Sequence, residues 1–310
     1  MVQPISSCPL IGLKGSFRYI FVESKSPKLP PCADQPVVKV DADLSPWSFE
    51  ELFLEPLREI LLFKPLISNI ISRDLKIRYK RSFLGIGWTL LAPLGSMIIM
   101  WAVFTIALKV QIPFYAVYLF SGMIVWAFFL QSSAAGCQSL LNAASLIRKV
   151  RIPRSVFPVT VVVNNALNFT FAFLALLIVI WVSGAPFHWQ IIATPLVLLP
   201  ALVFTAGWSL LVSSLSVFFR DLQYILDVGL GALFYLTPIL YQPSMVPEKY
   251  HWIVSYNPLA KFIYLFRNLV YDGILPDPRV YLVAWGMSLC MFCVGWVVFH
   301  RLHRKIVFWL

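Results

Sequence analysis

Long apolar runs separated by short polar stretches occupy the chain from about residue 86 onward, covering approximately 86–108, 114–140, 156–183, 191–217, 222–241 and 280–300. A bilayer core of roughly 30 Å takes about 20 residues of helix, so each run is long enough to cross one. The pattern predicts an all-α integral membrane protein with six transmembrane helices over residues 83–310. Charge orients them. Arg73, Lys76, Arg78, Lys80 and Arg81 stop at the edge of the first run, and Thr89 to Leu108 carry no charge. Lys and Arg cost about 2.5–3.5 kcal/mol each at the centre of a spanning helix, so this cluster belongs on the cytoplasmic side. Lys109 alone marks the next loop, whereas Arg148, Lys149, Arg151 and Arg154 crowd the one after it. Gly184 to Gln190 contains no Lys or Arg, Arg220 marks the following turn, and Arg301, Arg304 and Lys305 follow the last run. These loops alternate inside and outside, which predicts an inner-membrane protein with both termini cytoplasmic.

Three stretches break the pattern. Residues 1–46 are rich in proline and have no periodic apolar face, which predicts a disordered cytoplasmic tail. Residues 47–82 read as an amphipathic interface region, with a short helix over 48–64 that Pro65 interrupts. Beyond it, Leu66, Ile67, Ile70, Ile71 and Ile77 fall on one side of a helix over 66–81, and Arg73, Lys76 and Lys80 on another. Such a helix suits the membrane interface, with a cytosolic helix packed on a partner as the alternative. Segment 242–279 is interrupted by Pro243, Pro247 and Asn257-Pro258, and its amphipathic part, 259–270, is too short to span twice. Non-helical backbone at membrane depth is tolerated where it packs on protein or lines a cavity, so a re-entrant pair of short helices is expected between spans five and six.

Composition supports the membrane class: 59% of residues are hydrophobic, 13% are charged, and the mean hydropathy is +0.79. Soluble domains carry about 25% charged residues. The net charge of +11 sits mainly in loops, which fits topology and anionic membrane lipid better than nucleic acid. The first twenty residues lack a basic region leading into a clean apolar core, so no cleaved signal peptide is expected. The five cysteines are scattered and form no disulfide framework.

Ionisable groups at membrane depth are costly and usually functional, and Asp227 is the clearest candidate. No HExxH, paired carboxylates or GxSxG appear, so no catalytic or metal site is expected. Gly12-Leu-Lys-Gly-Ser16 is too short for a phosphate loop, so this chain is expected to hold no cofactor itself. Cys290 and Cys293, one turn apart, read as packing. Neutral polar residues are more suggestive: Asn164, Asn165 and Asn168 in span three, Gln131, Ser132, Ser133, Gln138 and Ser139 in span two, and Ser209, Ser213, Ser214 and Ser216 in span four. They serve as interhelical hydrogen bonds or line a hydrated path. Loop 142–155 sets Leu146, Ile147, Val150 and Ile152 among its charges, as a short helix that enters a partner's groove does; a plain topology loop is the other reading.

The run from Arg73 to Trp88 followed by Pro93, the stretch Leu146 to Arg154, and Phe218-Phe-Arg-Asp221 resemble the ABC-2 permeases that export polysaccharides and teichoic acids. Thr237-Pro-Ile-Leu-Tyr241, Val246-Pro-Glu248 and Asn257-Pro-Leu259 extend the resemblance in the family's order over about residues 50–305. It implies a half-transporter: two copies of this chain form the pore, and two copies of a separate nucleotide-binding ATPase, with ATP and Mg, drive it. Leu146, Ile147, Arg148, Lys149, Arg151, Pro153 and Arg154 then contact the ATPase, and helix 66–81 is the interface helix. Leu84 and Gly85 fall at the cytoplasmic mouth, where Arg78, Tyr79 and Arg81 meet the pyrophosphate of a lipid-linked glycan. Trp88, Tyr224, Tyr235 and Tyr241 are assigned to the glycan path by position, and Pro243, Asn257 and Pro258 to an outer gate. Two other functions are weighed: a permease of this architecture for a lipid or drug, and a membrane-embedded transferase acting on lipid-linked sugars, which needs an essential residue such as Asp227.

Overall fold

The structure, a computed structural model, describes residues 63–79, 87–107, 109, 111–149 and 152–309, with the side chains of 75–79, 89–90, 107, 303–305 and 307–309 excepted. The expectations for the tail 1–46, for most of the helix over 48–64, and for Lys80, Arg81, Leu84, Gly85, Val150 and Arg151 fall outside these residues. All regular structure among the described residues is helical. Four helical stretches are long and apolar enough to cross a membrane: Tyr115–Asn142, Val156–Ser183, Trp189–Phe218 and Pro278–Leu302. Two shorter apolar helices, Leu91–Ile106 and Leu222–Leu236, correspond to the first and fifth apolar runs. This is a multi-pass integral membrane protein.

In chain order, α1 is Lys64–Tyr79, α2 Gly87–Ala102, α3 Tyr115–Asn142, α4 Ala144–Ile147 and α5 Val156–Ser183. Then follow α6 (Thr194–Phe218), α7 (Leu222–Leu236), α8 (His251–Tyr256), α9 (Pro258–Arg267) and α10 (Pro278–Trp309). Pro65 lies in the first turn of α1. A proline there forfeits no helical hydrogen bond, so it opens this helix where the sequence suggested an interruption. The fifth apolar run was expected to reach residue 241, yet α7 ends at Leu236. Pro238 is the cause: the residue before a proline is driven to extended geometry, and Thr237 has ψ 132°.

Helix α3 forms the centre of the bundle and packs on α2, α5, α6, α7 and α9. Leu119, Phe120 and Ile124 of α3, Leu176 and Ile180 of α5, and Ile263 and Phe266 of α9 are fully buried in its main core. A second cluster, with Leu140, Phe157, Leu210, Trp296 and Phe299, closes the end of the bundle that carries loop 142–155. That end is called proximal below, and the end with residues 237–277 distal. Helix α10 packs mainly on α6. A Cβ on Gly295 would collide with the backbone of Gly207, and one on Gly207 with the backbone of Met291 and Phe292. Van der Waals contact between close backbones is the available attraction where lipid is as apolar as leucine, so small residues mark this crossing. Cys290 and Cys293 are exposed on α10 rather than packed inside. Only Leu230 of α7 is buried, which leaves most of that helix exposed.

Candidate functional site

At the proximal end, α1, α3, α4 and α5 enclose a cleft of about 710 Å³ whose lining includes Arg73, Asp74, Asn142, Leu146, Lys149 and Asn164. The predicted short helix in loop 142–155 is the single turn α4. Leu146 and Ile147 pack against the proximal core cluster, which anchors the loop, while Arg148 and Lys149 are exposed. Pro153 and Arg154 are half-buried, and burial pulls the Arg154 guanidinium below its ordinary pKa. Arg73 is exposed and bonds its neighbour Asp74 (Nη2–Oδ1 3.0 Å). Of the site residues predicted in loop 142–155, Leu146 and Lys149 line this cleft. Of Arg78 and Tyr79, only the backbone, on α1, is described.

A second cavity, of about 490 Å³, lies between α2, α3 and α5 and includes Trp88, Pro93, Ser96, Gln131, Asn165 and Asn168 in its lining. Asn168 Nδ2 donates to Asn165 Oδ1 (3.1 Å), and Asn165 lines both this cavity and the proximal cleft. Asn164 Oδ1 is buried with no hydrogen-bond partner among the described residues. The three asparagines therefore mark a polar seam along α5. The serines behave differently. Ser209 donates to Pro158 O (3.3 Å) and Ser216 to Cys137 O (2.6 Å), both across helices, whereas Ser133, Ser139, Ser213 and Ser214 donate to carbonyls of their own helix. Interhelical bonding thus describes Ser209 and Ser216, and a cavity lining describes Gln131 and the asparagines.

A third groove, of about 520 Å³, separates α3 from α7 and is lined by Trp126, Leu130, Asp227, Phe234 and Tyr235, among others. It shares Met123 and Ala127 with the second cavity, so the two flank α3. Gln138 Nε2 donates to Gln223 Oε1 and ties α3 to α7. Of the four predicted path aromatics, Trp88 lines the second cavity and Tyr235 the third, while Tyr224 is exposed on α7. The Tyr241 hydroxyl donates to Tyr235 O (3.1 Å).

The distal end is built around a buried arginine, Arg267. Arg267 is 6% exposed. Its Nη1 donates to Pro238 O (3.0 Å), and its Nη2 to Tyr118 O (3.2 Å) and Ile239 O (3.3 Å). Its guanidinium carbon stands 3.6 Å from the centre of the Tyr118 ring, a cation–π contact. A Cβ at position 122 would lie 2.7 Å from Nη2, so Gly122 makes room for the guanidinium. Tyr115 and Tyr118 donate their hydroxyls to Leu240 O and Tyr241 O, each at 2.8 Å, and Tyr271 donates to Pro113 O (2.7 Å). Pro238 O, Ile239 O, Leu240 O and Tyr241 O, which Pro238 leaves outside any helix, thereby each receive a donor, as a buried backbone requires. Asn257 caps α9 by accepting from Leu259 N (2.9 Å) and Ala260 N (3.4 Å), and it donates to Thr237 Oγ1 (2.9 Å). Pro258 takes the first helical position, where proline is favoured, and Pro243 opens a short 3-10 turn. Burial raises the Asp272 carboxyl above its usual range, and Arg267 opposes that shift. The periodicity held a clue: Ile263, Phe266, Arg267 and Val270 share the spacing of one apolar helical face.

A polar cavity on one side of a central membrane helix, a mostly apolar groove on the other, a cation-bearing loop at one end and a packed pair of short helices at the other fit a membrane transport protein. The chain belongs to the ABC-2 type transporter family, whose sequence profile matches residues 65–271. It is 35% identical over 241 residues to an O-antigen export system permease protein, RfbA, of Klebsiella pneumoniae, covering 77% of this chain and 93% of the relative. It is 30% identical over 236 residues to the RfbA of Myxococcus xanthus, covering 76% and 91%. The polysialic acid transport protein KpsM of Escherichia coli is 23% identical over 224 residues, covering 69% and 84%.

Proposed function

We propose that this chain is the transmembrane subunit of an ATP-driven exporter that moves a lipid-linked polysaccharide, such as an O-antigen or capsular glycan, across the cytoplasmic membrane. The observation that carries this reading is the match over 93% of an O-antigen export permease. The polar seam on α5 and the cavity beside it support this reading, because a hydroxyl-rich chain needs hydrogen-bonding walls at membrane depth. Two copies of the chain form the pore, and a separate pair of nucleotide-binding subunits hydrolyses Mg-ATP. Each chain crosses the bilayer six times with both termini in the cytoplasm, α2 and α7 serving as the short first and fifth spans. The proximal end then faces the cytoplasm, and α4 with Arg148, Lys149, Arg151, Pro153 and Arg154 docks on the ATPase. Arg78, Tyr79 and Arg81 meet the carrier's pyrophosphate near Leu84 and Gly85, since cationic forks suit phosphate. Trp88, Tyr224, Tyr235 and Tyr241 offer ring faces along the path, and α8 and α9, set by Pro243, Asn257 and Pro258, form the outer gate.

The test is purification of the tagged chain from detergent with an ATPase assay of what accompanies it. A stoichiometric nucleotide-binding subunit is expected, together with loss of surface glycan when this chain is deleted. A chain that purifies alone, in cells whose surface glycan is intact without it, refutes the reading. Changing Arg148, Lys149 and Arg151 together to Glu should abolish stimulated ATPase while the chain remains inserted. Normal coupling in that variant rules out the docking role of the loop.

A further inference from the structure

Behind the distal corner, among residues 238–244, α8, α9, the π-helical turn that follows α9, and the first turn of α10, lies a pocket of about 570 Å³. Small-ligand sites run to roughly 300–1,000 Å³, so the volume suits a ligand of modest size. The wall combines two kinds of surface. Tyr264 lines it with a side chain on a residue 47% exposed, and Tyr271 adds a second ring. Gln242, Lys261 and Asp272 also line it, together with the buried Arg267. The buried Arg267 Nε has no hydrogen-bond partner among the described residues. Polar groups in a confined pocket cost free energy unless a ligand or water satisfies them.

That composition selects among ligands. A lipid chain would strip water from Gln242, Lys261 and Asp272 and return no hydrogen bonds. A metal cation would meet Lys261 and Arg267, and a compact phosphate would meet the Asp272 carboxylate. A pyranose ring presents an apolar C–H face, which stacks on tyrosine, and a rim of hydroxyls, which donate to carboxylate and amide oxygens and accept from amide, ammonium and guanidinium N–H groups. The corner is held rigid by the Arg267 hydrogen bonds to Pro238 O, Ile239 O and Tyr118 O, so the pocket is formed before a ligand arrives. We infer that this pocket is a sugar-binding site that holds one or two pyranose units of the exported glycan at the outer gate. The inference rests on the exporter reading given above.

The probe is the producing cell's own glycan, cleaved from its lipid by mild acid and added to the complete transporter, with its ATPase, in lipid nanodiscs. Saturation-transfer NMR should show contact with the sugar ring protons. Loss of an aromatic platform and an amide partner should lower that transfer about tenfold in the Tyr264→Ala, Gln242→Ala double variant, with surface glycan falling in parallel. Tyr264→Phe keeps the ring face and should retain most of the transfer. This second variant separates loss of the platform from loss of the fold if the double variant fails to assemble with its ATPase. Equal transfer in the parent and in Tyr264→Ala overturns the site, as does a Tyr264→Phe variant that binds no better than Tyr264→Ala. Absence of glycan export by the parent itself overturns the exporter reading instead, so the two failures are distinguishable.

Discussion

At the distal end, Arg267, Tyr115, Tyr118 and Tyr271 bond backbone carbonyls drawn from three separate segments. At the proximal end, Arg73 and Asp74 pair with each other as neighbours on one helix, beside an open cleft and the exposed Arg148 and Lys149. The distal end is therefore a frame that one chain completes by itself. The proximal end carries Arg148 and Lys149 at its surface. Buried charge held by several hydrogen bonds confers rigidity, whereas surface charge contributes little to stability and more to recognition. The two ends thus differ in kind: the distal corner is fixed by buried hydrogen bonds, and the proximal surface displays charge.

Substitutions can break that comparison, the strongest at its most buried point. Arg267→Met removes the donors of three carbonyls, and we expect a loss of about 3 kcal/mol, read as a lower thermal midpoint of the detergent-purified complex. An unchanged midpoint would mean that the corner does not depend on its arginine. Gly122→Ala pushes a methyl group toward Nη2, and its expected cost of about 2 kcal/mol should largely vanish in an Arg267→Met background. Additive losses in that double variant would disprove the direct contact. Asn257→Ala deletes the cap of α9 and its bond to Thr237, for about 1 kcal/mol, with faster amide exchange at Leu259 and Ala260 as the local signature. Arg73→Ala should change stability by less than about 0.5 kcal/mol, because the pair it breaks is exposed. A proximal loss as large as the Arg267 effect would erase the contrast between the ends.

Much of this organisation was legible in the chain. Helix α5 fills the predicted run 156–183, and α9 with its π-helical extension covers the amphipathic stretch predicted over 259–270. The apolar residues of loop 142–155 were read as anchors for a partner's groove, whereas Leu146, Ile147 and Ile152 pack on the chain's own core. Arg267 was missed because a sequence gives the cost of a buried charge but not its partners. Those partners are carbonyls at 118, 238 and 239, and carbonyl oxygens carry no residue signature. The asparagines were noticed, yet Asn164 and Asn168, spaced as one face, turn out to serve different cavities, with Asn165 joining the two. Packing of α1 and α2 against α5 divides that face, and helical period alone does not contain those neighbours.

The sequence by itself determined that this is a helical membrane protein, where its long helices run and which family it belongs to. Those properties follow from transfer free energy and chain length, which add up locally along the chain. Only the tertiary structure decided that a proline-broken corner would close over a buried arginine, that Gly122, Gly207 and Gly295 sit where backbones or a guanidinium come close, and that polar residues of α2, α3 and α5 would join into a cavity on one side of α3 with a mostly apolar groove on the other. The physical reason is that hydrogen-bond satisfaction and close packing are relations between distant segments, fixed when the helices meet.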